Sequence, residues 1–406
     1  MDNINIIKSE KFKNNAISLV IPLELDDRVT EYNLIAALLK RGTKNYPSSK
    51  AIWEHLQNLY GAVFDIVVTK KGEKLFLNFY IQCINDIYAL EGEALLKEAL
   101  DFLYEVVNNP LVSEKGFDES YFETEKENLK VLINSRMDNK DSYALERVQE
   151  IITEGEPYSI YKYGDIERLQ AIKNKDLPSL WQEIYNNSPR FLFACGNIDE
   201  KALGDKVSLL SNNTGKEISI PKTSFKGEVK EIKEVMDVNQ GKLCLGYRTN
   251  TTIFNGDYFG LSVMNSILGG GTHSKLFNEV REKNSLAYYS YSFIEKFKGL
   301  LIVSCGIDSS NYEKATTICK SQMEAIKAGK ISKEEINSAK KKLISDLRTI
   351  TDSQYSFMDY ISTLRAYGIE YKIEDILSEL DKVDIDRVVQ CANTIELNAV
   401  YFMTKE

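Results

Sequence analysis

Residues 267–288 read ILGGGTHSKLFNEVREKNSLAY. Three consecutive glycines, Gly269, Gly270 and Gly271, precede Thr272 and an amphipathic run that carries Arg281. Tyr288 follows seven residues later, where an alternating apolar pattern begins. A turn after a helix needs one glycine at its C-terminal cap. Three glycines leave the backbone more freedom than a cap requires and let another segment come close. A mobile contact loop is therefore expected at 269–272.

Outward from this stretch, the same order of residues occurs once before. NLIAALLKRGTKNYPSSKAIWEHLQNLYGAVFDIVV, from Asn33, runs beside GLSVMNSILGGGTHSKLFNEVREKNSLAYYSYSFIE, from Gly260, with Gly42 beside Gly269. Period-2 apolar runs predict strands at 17–23, 63–69, 75–82, 190–194, 242–247, 286–294, 299–307 and 399–404. Period-3.6 segments predict helices at 91–107, 117–138, 143–153, 312–328 and 333–353. Ser332 and Glu335 form a capping box, and Asp176, Ser179 and Asp384 are expected caps of shorter helices. In each half a strand leads to a helix ending at glycine, then a second helix, a hairpin, two long helices, shorter helices and a last strand. A period of roughly 220 residues is too long for a solenoid. The expectation is two tandem α+β domains, each a mostly antiparallel sheet flanked by helices. They would occupy 1–211 and 240–406, with a polar linker at 212–239.

Composition narrows the function. The chain has 406 residues, 43% apolar and 27% charged, with a net charge of −9. That charge disfavours nucleic acid or an anionic membrane as the main ligand. The opening MDNINIIKSEKFKNN lacks an apolar stretch of signal-peptide length, and no run approaches a membrane span, so a cytoplasmic protein is expected. None of the six cysteines forms a C-x-x-C pair, and several fall in apolar strand-like runs, which predicts buried thiols. The two histidines, His55 and His273, sit in no metal-ligand spacing. No nucleophile elbow or P-loop occurs, and the glycine triplet follows a helix rather than a strand.

The segment LGGGTHSKLFNEVREKNSLAYYSYS resembles the second-domain signature of the insulinase/pitrilysin-type metallopeptidases, a family that includes the mitochondrial processing peptidase. The resemblance covers nearly the whole chain and implies one half-shell of a clam-like chamber. Active members carry H-x-x-E-H on the first helix: two imidazoles bind zinc and the glutamate activates its water. Alignment on Gly42-Thr43 places Asn33 and Ala37 at the histidines and Ala36 at the glutamate. The third ligand, a later glutamate, falls near Val131 or Leu132. None of these side chains supplies the required chemistry, so no zinc is expected in this chain and no peptide cleavage by it alone.

The resemblance also gives Arg281 and Tyr288 a role: they approach a zinc site from the opposite domain, which in two-chain members belongs to a neighbouring subunit. A guanidinium and a phenol there hold the substrate and stabilise a developing oxyanion. Gly269, Gly270, Gly271 and Thr272 would touch the peptide. The leading expectation is a non-catalytic subunit that pairs with a zinc-bearing homologue. The other readings are a scaffold of the same fold with no part in hydrolysis, and a peptide-binding homodimer.

Overall fold

The computed structural model describes residues 4–199, 203, 205–212 and 227–405. The first sheet contains β1 (Asn5–Lys8), β2 (Asn14–Glu24), β3 (Val63–Lys71) and β4 (Lys74–Ile84). After a two-residue hairpin, β5 (Val112–Ser113) and β6 (Gly116–Phe117), β7 (Phe191–Gly196) completes it. The second sheet contains β8 (Lys230–Val235), β9 (Gly241–Arg248), β10 (Ala287–Glu295), β11 (Leu300–Ile307) and β12 (Glu396–Thr404).

Strand order in the first sheet is β1-β7-β2-β4-β3, and in the second β8-β12-β9-β11-β10. In each sheet the first pair is parallel and the other three pairs are antiparallel. The two sheets are therefore copies of one topology, the duplication expected from the sequence. All eight predicted strands are present. Besides the short β5–β6 hairpin, the strands that no period-2 apolar run marks are β1 and β8, and they occupy the same edge position in their sheets. β8 lies inside the segment expected to be a linker. Its sequence KEIKEV alternates half-buried and exposed residues, so its charges reflect an edge strand rather than a tether. The expected linker's 213–226 portion falls outside the described residues.

Each sheet is covered on both faces, because successive strand residues point to opposite sides. In β4, Phe79 packs on Trp181 with ring centroids 5.7 Å apart, while its neighbour Tyr80 meets Tyr355 edge-on at 5.0 Å. Burial on both sides accounts for the nearly continuous apolar run of β4.

The compact units do not follow chain order. The first comprises 1–134, 161–218 and 350–369, and the second 135–160, 219–349 and 370–406. Each unit thus takes one helix from the other half of the chain. Helix Gln354–Ala366 lies on β2 and β7, where Gln354 Nε2 donates to the carbonyls of Asn14 (3.0 Å) and Cys195 (2.8 Å). Helix Lys140–Ile152 lies on β9 and β12, placing Tyr143, Val148 and Ile152 in one core with Cys244, Ile302 and Tyr401. Glu156 follows it and pairs with both Arg248 and Lys298, two buried cations of the second unit.

The long helices fall where periodicity placed them: Leu95–Asn108, Glu119–Asn134, Tyr312–Lys327 and Lys333–Asp352. The Ser332–Glu335 capping box forms, with Ser332 N to Glu335 Oε2 at 2.8 Å and Glu335 N to Ser332 Oγ at 3.1 Å. Asp384 caps its helix through Arg387 N. Asp176 stands at the start of helix Leu177–Asn187 without bonding it, and Ser179 lies inside that helix, which Pro178 initiates.

Candidate functional site

In the first unit, helix Val29–Leu38 is buried almost all round, as its apolar sequence requires. Asn33 is buried, and its Nδ2 donates to the carbonyls of Val29 (2.9 Å) and Lys162 (2.8 Å). Ala36 is buried, and Ala37 is half-buried. Leu132, 45% exposed, lies on helix Glu119–Asn134, which packs against this helix. The side chains at these positions do not fit a zinc ion. Alanine and leucine offer no ligand atom, and Asn33, held by its Nδ2 on two carbonyls, adds one neutral amide oxygen where zinc takes Cys, His or carboxylate ligands. Among the described residues no three His, Cys, Asp or Glu side chains converge into a metal-holding group.

In the second unit, Asp257 caps helix Tyr258–Gly269 by accepting from Gly260 N at 2.9 Å. The helix runs straight into the glycine triplet. None of the three glycines has positive φ, so the conformational freedom expected of them is not what the fold uses. Close approach is used instead, and by the protein's own sheet. Gly269 is buried against β10, where an added Cβ would lie 2.4 Å from Ser292 N. On Gly270 an added Cβ would lie 2.6 Å from Ser266 Cα. Gly271 is half-buried, and Thr272 is exposed.

After this loop the backbone forms a π-helical turn, Phe277–Lys283. π-Turns are uncommon and recur at functional sites. Arg281 occupies this one, with its side chain 47% exposed. Its guanidinium carbon lies 5.0 Å from the Phe277 ring centre, and its one ion pair among the described residues is a loose contact with Glu282 at 3.7 Å. The π-turn packs against β10. Tyr288 stands at the irregularity in the β10–β11 register between Ala287 and Tyr289, which turns it outward to 74% exposure. Its hydroxyl has no hydrogen-bond partner among the described residues. β10 is the outermost strand of its sheet, and Tyr291 also reaches the surface.

The residue beside Tyr288 is fixed in place. Tyr289 donates its hydroxyl to Asp141, whose carboxylate also lies 2.7 Å from Lys242 Nζ. Burial alone would raise the Asp141 carboxyl, but Lys242 and Tyr289 together hold it below its ordinary value. Asp141 belongs to the helix that comes from the first half of the chain, so no local pattern in the sequence announces this anchor.

The remaining candidates are structural. His55 packs between Tyr46 (4.4 Å) and Phe102 (5.2 Å), and burial lowers its pKa. His273 Nε2 lies 3.3 Å from Ser266 Oγ, and burial lowers its pKa too. All six cysteines are buried and free, as their apolar contexts predict. Among the described residues no helix is long and apolar enough to cross a membrane.

The fold, with a first helix that carries no H-x-x-E-H, defines a peptidase-like protein. Residues 171–343 match the family model described as peptidase M16 inactive domain. The chain is 32% identical over 404 residues to YmfF of Bacillus subtilis, described as a probable inactive metalloprotease, covering 98% of this chain and 95% of that one. A conserved protein of Enterococcus faecalis V583 superposes with TM-score 0.90 at 29% identity, over 99% of this chain and 96% of the other. A peptidase M16 inactive domain protein of Pseudomonas fluorescens superposes with TM-score 0.80 at 16% identity, over 99% and 96% of the two chains, a likeness of fold alone. The chain belongs to this family, the insulinase/pitrilysin-type peptidases, as an inactive homologue that lacks H-x-x-E-H.

Proposed function

We propose that this protein is the non-catalytic subunit of a two-chain zinc metallopeptidase. It binds peptide and presents Arg281 and Tyr288 to the metal site of a zinc-bearing homologue. The observation that carries this reading is the contrast between its two units. The metal positions of the first are filled by alanines, a leucine and an engaged asparagine, whereas the Arg281 guanidinium and the Tyr288 hydroxyl are exposed and lightly engaged. Exposed polar groups of this kind, oriented by a π-turn and a bulge, suit the stabilisation of charge that develops on a bound carbonyl. The outer edge of β10 suits an extended peptide, which would add as a further strand beside Tyr288 and Tyr291. The zinc belongs to the partner in this reading, and the protein works in the cytoplasm.

The test is reconstitution. The purified chain, examined by light scattering alone and then mixed with a homologue that carries H-x-x-E-H, should form a heterodimer that cleaves peptides. The chain alone, monomer or homodimer, should cleave none. Zinc-dependent cleavage by the isolated chain would sink the proposal.

A further inference from the structure

Two buried thiols of the second unit touch each other beneath the Arg281 and Tyr288 elements. Cys305 lies on β11, and Cys319 lies on the helix that follows it, Tyr312–Lys327. Both are free, and neither has exposed surface. Their sulfurs are 3.7 Å apart, and the Cys305 sulfur is also 3.1 Å from Ser290 Oγ. Ser290 stands opposite Cys305 on β10.

A buried cysteine usually serves as a small apolar side chain, and four of the six here do so. Burial pushes the Cys195 thiol up to about 11, and those of Cys83, Cys244 and Cys391 to about 12. Cys305 departs from them. Hydrogen bonds to its sulfur, from Cys319 and then from Ser290, hold it below its ordinary value in spite of burial. Cys319 is raised well above its own by the bond it donates and by burial. A sulfur favoured as thiolate thus touches one that keeps its proton, the arrangement of an attacking and a resolving thiol.

We propose that Cys305 and Cys319 form a reversible dithiol–disulfide site, with hydrogen peroxide as the oxidant. The Cys305 sulfur attacks one peroxide oxygen, the O–O bond breaks, and the hydroxide that leaves takes up the proton Cys305 has released. Cys319 then attacks the sulfenic sulfur so formed, the S–O bond breaks, and the departing hydroxide takes the Cys319 proton. Two thiols and one peroxide become one disulfide and two waters, with two electrons passing from the sulfurs to the peroxide oxygens. From contact at 3.7 Å, each sulfur moves by about 1 Å to reach bonding distance. Burial selects a small oxidant, which enters as the helix opens locally. The resolving sulfur in contact then captures the sulfenic acid before a second peroxide arrives.

The disulfide ties β11 to the helix. β11 pairs with β10, which carries Tyr288, and the helix packs on the π-turn that carries Arg281. Oxidation therefore braces the elements beneath both side chains. The chemistry needs no partner subunit and does not depend on the peptidase reading.

The test uses the full chain, reduced, freed of reductant and treated with hydrogen peroxide while folded. Remaining thiols are blocked with N-ethylmaleimide in denaturant, and a tryptic digest is read by mass spectrometry. The expected product joins peptide 299–314, which holds Cys305, to peptide 315–320, which holds Cys319, with four of the six thiols still free. Dithiothreitol should restore all six. In Cys319→Ser, dimedone added with the denaturant should trap a sulfenic acid at Cys305, whereas in Cys305→Ser it should leave Cys319 unlabelled. Six free thiols after peroxide, a disulfide between other cysteines, or over-oxidised Cys305 without a cross-link would overturn the proposal. So would trapping at Cys319 rather than at Cys305.

Discussion

A Cβ built on Gly269 would stand 2.4 Å from the backbone nitrogen of Ser292. The glycine motif and the strand that carries Tyr288 are thereby packed together, helix end on strand backbone. A backbone atom inside a sheet cannot step aside as a side-chain tip can. Gly269→Ala should therefore destabilise the protein by about 1–3 kcal/mol, the usual cost of overpacking. Thermal denaturation should show a melting point several degrees lower. An unchanged melting point would mean that the close packing is not required.

Glu156 is the shared partner of two buried cations, Arg248 and Lys298. Removing one partner of a buried ionic group leaves uncompensated charge. Glu156→Ala should cost about 3 kcal/mol or more. The loss, read by denaturant titration, should exceed that of truncating an exposed glutamate such as Glu54, which should stay within about 0.5 kcal/mol.

Acid stability follows from the same groups. Burial would raise Glu156 above its ordinary value of 4.5, but Arg248 and Lys298 overcome burial and hold it below. Asp141 is held below its ordinary 3.8 by Lys242 and Tyr289, again against burial. A carboxylate with a depressed folded pKa stabilises the fold above its unfolded pKa, and that contribution is lost as the pH falls through the folded value. Burial likewise lowers His55 and His273 below 6.5, so proton uptake by these rings favours the unfolded chain. Melting temperature should begin to decline below about pH 6.5 and fall more steeply below about pH 4.5. A flat profile from pH 7 to 4 would contradict these assignments.

Metal removal should do nothing to the isolated chain. With Asn33, Ala36, Ala37 and Leu132 at the aligned positions, treatment with a chelator should leave its melting temperature unchanged. A drop of several degrees, restored by zinc, would reveal a structural site built from other residues.

Much of the fold was legible in the sequence, because the strands and long helices announce themselves by period and the two halves repeat in order. What escaped was set by tertiary context. β1 and β8 are edge strands with mixed polar faces, so neither carries an apolar run. The crossing of helices Lys140–Ile152 and Gln354–Ala366 into the opposite units was also hidden, since an amphipathic face records that a helix is covered but not by which sheet. At the candidate site, the order and spacing of Arg281 and Tyr288 were readable. The π-turn, the bulge and the Asp141 anchor were not, because each depends on backbone irregularity or on a distant segment. Three adjacent glycines suggest freedom for a ligand, but two of them instead make room for backbone within the same unit.

Arg281 and Tyr288 are exposed, so Arg281→Ala with Tyr288→Phe should leave folding within about 0.5 kcal/mol of the native chain. The most direct measurement is the peptide-cleavage rate of the reconstituted pair, with the native chain and with this double variant at equal heterodimer occupancy. The proposed role predicts a fall in kcat of about 10²-fold or more while pairing persists. An unchanged rate with intact pairing would contradict it and leave the chain a scaffold.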